Sequence, residues 1–217
     1  MLKVFGFFLK WLFTHPHQLL MVLFQTLLIL FLTVLGFSED LTAHKHLPSI
    51  FLICMFFMGQ FFFMETHSRF SFERTLQGLI LTGMSPHALY ISILLTSLLI
   101  LTGMEGIILT LISFFFHVTF TPTQFLLLWF IGLLGTLSYV ALGTLYYGFS
   151  VFSKIPLSFM MVLFFPICIP LFLQMHTALE SVLSPTKTLM LQPLFGMALL
   201  FVFLCGLLYE WISETLW

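Results

Sequence analysis

"FLLLWFIGLLGTLSYVALGTLYYGF", residues Phe125 to Phe149, runs its whole length without a charged residue. A helix over it would be about 37 Å long at 1.5 Å per residue. That exceeds the roughly 30 Å of a bilayer's hydrocarbon core. In water such a stretch would need a large protein core to bury it. The rest of the chain has no surface to offer: it is 60% hydrophobic and 7% charged, with a mean hydropathy of +1.15. Soluble domains are about 25% charged. The medium that solvates this chain is therefore lipid, and the fold class is an all-α integral membrane protein.

Working outward, further apolar runs meet the length requirement of about 20 residues. Six spans are expected: Leu19–Phe37, Leu47–Met64, Ala88–Phe116, Phe125–Phe149, Ile155–Met175 and Leu189–Ile212. The intervening segments are short and hold most of the charge. Residues 1–217 form one membrane domain. The first run is too long for the apolar region of a signal peptide and lacks a small-residue cleavage site, so it reads as a retained span. Ahead of it, Met1–His17 combines Phe5, Phe7, Phe8, Trp11 and Phe13 with Lys3 and Lys10. That pattern suits a helix lying in the membrane interface.

Lys and Arg favour the cytoplasmic side. Cytoplasmic termini place Lys3, Lys10, Arg69, Arg74 and Lys154 inside and leave Lys45 and Lys187 outside. The near-neutral net charge of −1 argues against a nucleic-acid partner. Cys54, Cys168 and Cys205 each stand alone in an apolar run, which predicts buried packing residues rather than a disulfide or a zinc site.

Two spans carry helix-breaking residues. Pro166 and Pro170 in the fifth each remove a donor and free a carbonyl one turn earlier. Such carbonyls are costly in lipid, so this helix is expected to break and to face protein or a cavity near Phe165–Pro170. The third span is about 29 residues, roughly 43 Å, and is expected to bend at Gly103-Met104-Glu105-Gly106. In the fourth, Gly132, Gly135, Ser138, Ala141 and Gly143 would let neighbouring helices approach closely.

Glu105 is the acid predicted within the bilayer. A charge there marks a functional site or a specific partner by default. No base in the other spans reaches its depth, so it is expected to be protonated or hydrogen-bonded to Thr or Ser. Of the eight histidines, His44, His46, His117 and His176 fall near the outer face and are the candidate haem or metal ligands.

The densest charge lies in "METHSRFSFERTLQGLILTG", Met64 to Gly83. From Ser71 to Thr82, Phe72, Leu76, Leu79 and Ile80 fall on one helical face, and Glu73, Arg74 and Gln77 on the other. Ser71 can cap the first turn, and Glu65 pairs with Arg69 one turn before it. This is an amphipathic cytoplasmic helix between spans two and three. It reads as a docking element for a cytosolic subunit, with Arg69, Phe72, Glu73, Arg74, Thr75, Leu76 and Gln77 as the partner surface. The chain itself has no Gly-Lys pair and hence no phosphate-binding loop. ATP would be bound by the partner subunit. No hydrolase signature is present, and no enzymatic activity is expected.

Together these features resemble the permease subunit of an ABC-2-type exporter, and more closely the haem exporter protein B family of cytochrome c maturation. Glu73-Arg74-Thr75-Leu76-Gln77 resembles that family's cytoplasmic acid-Gly-Ser/Thr-Leu-Glu run, keeping the acid, threonine and leucine but not the glycine and second acid. Gly135-Thr136 with Ala141-Leu142-Gly143 resembles its fourth span, and "FFPICIPLFLQ", Phe164–Gln174, its fifth. Where the family carries proline after Thr102-Gly103, this chain has Glu105 close by.

The resemblance implies two copies of this chain working with two ATP-binding cassette subunits and with other cytochrome c maturation subunits in a bacterial inner membrane. It implies haem as cargo, with no cofactor bound directly. The chain lacks the tryptophan-rich outer loop of a haem-handling subunit. The alternatives are an ABC permease for a lipid or drug, and a haem- or metal-binding membrane protein with no ATPase partner.

Overall fold

The computed structural model describes Gly6, Lys10 and residues 16–37, 43–69, 85–153, 157–183 and 191–215. Over these the chain forms six helices: α1 (Pro16–Phe37), α2 (Ala43–Arg69), α3 (Pro86–Phe115), α4 (Pro122–Ser153), α5 (Leu157–Leu183) and α6 (Gln192–Thr215). All six are long and apolar enough to cross a membrane, and the chain is a multi-pass membrane protein. The helices overrun the expected spans. α2 begins early enough to take in the His44-Lys45-His46 run, and α5 continues about two turns past Met175.

Local chemistry explains the ends. α3 opens with Ser85, whose Oγ accepts the Ala88 amide at 3.3 Å, followed by Pro86 at the first helical position. α4 opens with a capping box: Gln124 N donates to Thr121 Oγ1 at 3.2 Å and Thr121 N to Gln124 Oε1 at 3.0 Å. α3 closes with His117 at φ 52°, while the Val118 amide bonds back to the Ser113 carbonyl at 3.0 Å. This is the left-handed residue that commonly ends a helix.

α4 is the hub, and its glycines make it so. Met175 of α5 lies where a Cβ on Gly135 would stand, Phe63 of α2 occupies the same place at Gly143, and Tyr209 of α6 at Gly148. The relation reverses at Gly59 of α2, which receives the Tyr139 ring of α4. Lipid tails are as apolar as the side chains, so close packing rather than water exclusion holds helices together here. Tyr139 sits at the centre, its ring 4.9 Å from that of Phe164 and its hydroxyl donating to the Phe56 carbonyl at 3.1 Å. The contacts of Gly59 with Tyr139 and of Phe63 with Gly143 run α2 parallel to α4, and those of Phe164 with Tyr139 and of Met175 with Gly135 run α5 antiparallel to it.

Peripheral helices touch the bundle through narrow seams. α1 buries Val22, Thr26 and Leu30, one residue per turn. α5 buries Phe164, Cys168, Leu171, Met175 and Ala178, alternating four and three residues apart as in a coiled-coil seam. Apolar grooves of about 400 and 410 Å³ flank α5, against α2 on one side and against α4 and α6 on the other.

Neither helix is divided at the place where a bend or break is expected. α3 continues as one helix through Gly103–Gly106. There the Trp129 indole donates to the Thr102 carbonyl at 3.0 Å and the Thr110 hydroxyl to the Gly106 carbonyl at 2.8 Å, reinforcing the glycine-containing turn. α5 continues through both prolines. Pro166, Ile167 and Pro170 are exposed on its outer face, and Phe164 and Cys168 face the bundle. Phe165 and Ile169 line the groove against α2 and Ile167 the groove against α4 and α6, so the segment does border cavities, as expected, while the proline rings themselves are exposed. With the rings turned outward, the freed carbonyls do not disturb the packed seam.

Candidate functional site

Hydroxyl groups within these helices mostly satisfy themselves. Thr26, Ser92, Thr96, Thr110, Ser138 and Thr177 each donate to the carbonyl four residues earlier. That is how Ser and Thr are tolerated in lipid. A carboxyl group cannot do the same, because as a carboxylate it has nothing to donate.

Glu105 is the test of that rule. It lies ten residues before Phe115, the end of α3, or about 15 Å along the axis. It thus lies inside the apolar span, nearer the Phe115 end of this 30-residue helix. Its exposure is 0%. The Thr136 hydroxyl of α4 donates to Oε1, while Oε2 has no hydrogen-bond partner. Gly132, one turn from Thr136, leaves the space that the carboxyl fills. A Cβ there would stand 3.1 Å from Oε2 and 3.3 Å from the Phe51 ring of α2. One turn back on α3, the buried Thr102 hydroxyl also lacks a partner. The sequence placed Glu105 in the bilayer and named Thr or Ser as its partner. Which hydroxyl, and the role of Gly132, come from the packing of α3 on α4.

The expected histidine set does not converge among the described residues. His176 of α5 meets Ser49 of α2, with 3.2 Å between Nε2 and Oγ. His46 is half-buried in the first turn of α2. His117 is the exposed left-handed residue closing α3, a backbone role. His44 lies in α2, with its side chain outside the described residues. No group of three His, Cys, Asp or Glu side chains able to hold a metal occurs among the described residues.

Arg69 is the last residue of α2. Phe72, Glu73, Arg74, Thr75, Leu76 and Gln77 lie outside the described residues, as does most of Met1–His17. The cysteines are free and buried, as their isolated apolar settings predict. Sequence reasoning passed over the Thr121–Gln124 capping box, which the T-x-x-Q spacing signals. It also passed over Tyr139, whose central position nothing in its neighbourhood announces. Comparison of the chain with protein families, with characterised proteins and with solved structures gives no match.

Proposed function

We propose that the chain is the membrane-spanning subunit of a transporter driven by a separate cytosolic ATPase. The observation that carries this reading is the end of α2 together with the segment joining it to α3. There, in a chain with 7% charged residues, Glu65, Arg69, Glu73 and Arg74 cluster beside an amphipathic helical pattern. Spans that alternate in direction put this segment on the same side of the membrane as both termini. The helices it joins lead inward: Phe63 of α2 packs on Gly143 of α4, and α3 carries Glu105 against Thr136. A push delivered there would reach the hub through two packed helices.

Within that class, the motifs in the α2–α3 segment and in the fourth and fifth spans favour the haem exporter B type. On this reading two copies of the chain and two ATP-binding cassette subunits act in cytochrome c maturation in a bacterial inner membrane. Substituting Arg74 and Leu76 together to Ala is expected to abolish co-purification of an ATP-binding cassette protein and the yield of c-type cytochromes while the chain still inserts. Unchanged co-purification and yield would refute the reading. So would labelling that places residues 65–86 on the side opposite the termini.

A further inference from the structure

We propose that Glu105 and Thr136 form a proton-binding site at the centre of the bundle, occupied while α3 and α4 are packed together. The hydrogen bond fixes where the proton sits. Thr136 spends its one O–H on Oε1, so Oε1 is the accepting, carbonyl-like oxygen. Oε2, beside Gly132 and without a donor, then carries the hydrogen. A carboxylate in the same place, fully buried, would have one neutral hydroxyl to serve several lone pairs, an arrangement that burial penalises heavily.

Among the described residues, nothing nearby offers a countercharge. One turn away on α3 stand Leu101, Thr102, Ile108 and Leu109. α4 presents Gly132 and Thr136, α2 presents Phe51, and Met175 of α5 fills the next notch of α4 at Gly135. α6 meets α4 farther along, at Gly148. None of these is titratable apart from Glu105 itself. A metal ion would need more oxygen ligands than this dry, Phe51-capped corner supplies. A glutamine could make the same hydrogen bond, but only an acid can release the proton. When α3 and α4 part and water enters, Oε2–H gives its proton to that water, leaving the carboxylate with its Thr136 bond. Occupancy of the site and packing of the two helices are thereby linked. The inference does not depend on an ATPase partner.

The test uses the full chain in lipid nanodiscs, followed by infrared spectroscopy across a pH titration in H2O and D2O. The wild type is expected to show a protonated-carboxyl stretch that shifts in D2O, is absent in E105Q, and moves to higher frequency in T136V. Raising the pH should lower the thermal unfolding midpoint while the band persists, because the folded state holds a proton that the unfolded state does not, and the midpoint should level off at the pH where the band is lost. The midpoint of E105Q should not follow that curve. Should E105Q fail to fold, the shift in T136V still assigns the band. The proposal is overturned if no band belongs to Glu105. It is equally overturned if the band resists both D2O and high pH until unfolding, which would mean a locked packing group. Loss of the band on adding NaCl at fixed pH would mean a cation site instead.

Discussion

At the scale of single residues, glycine decides how closely the helices meet. A Cβ on Gly143 would collide with the Phe63 ring, whereas one on Gly103 would meet nothing within 4 Å. Gly143→Val is therefore expected to cost about 3 kcal/mol. Gly103→Ala should instead stabilise by about 0.5–1 kcal/mol, since a solvated helical glycine costs only backbone entropy. Unfolding of the purified chain in mild detergent separates the two. His117 gives a second test. It holds φ 52° at the end of α3, a conformation glycine adopts without strain. His117→Gly should stabilise by about 1 kcal/mol in the same assay. A loss of stability would show that the imidazole has a role the backbone geometry does not explain. Sequence reading took this histidine as a ligand because imidazole chemistry is visible in one letter and a left-handed dihedral is not.

At the scale of elements, α5 shows how a proline-bearing span stays intact. Its seam of Phe164, Cys168, Leu171, Met175 and Ala178 faces the bundle while Pro166 and Pro170 point away. Packing and ring sterics therefore do not compete for the same face. Pro170→Ala returns a hydrogen-bond donor to the helix and removes a clash, and should stabilise the isolated chain by about 1–3 kcal/mol. The helix ends are more local. The Ser85-Pro86 and Thr121-Pro122-x-Gln124 signals sit in the sequence next to the turns they cap. Replacing Thr121 and Gln124 together by Ala should cost about 1–2 kcal/mol of stability, read by thermal unfolding.

At the scale of the whole molecule, the six helices form a bundle whose interior is closed by fit. Cys54, Cys168 and Cys205 each have 0% exposure. A membrane-permeant maleimide should leave all three unmodified in the folded protein and label them in denaturing detergent. Labelling of Cys168 in the folded state would show that α5 lifts from the bundle, exposing its seam. The number of helices long and apolar enough to span was legible in the sequence, because transfer of apolar side chains to lipid is a sum over local composition and needs no knowledge of neighbours. So was the peculiarity of Glu105, since an acid in that setting is conspicuous wherever the helices go. Which side chain fills which glycine notch, the seating of Tyr139 at the hub, and the choice of Thr136 as the carboxyl's donor were settled only by tertiary structure. In lipid, helix partners are selected by close steric fit between residues far apart in the chain, and no local pattern records that fit.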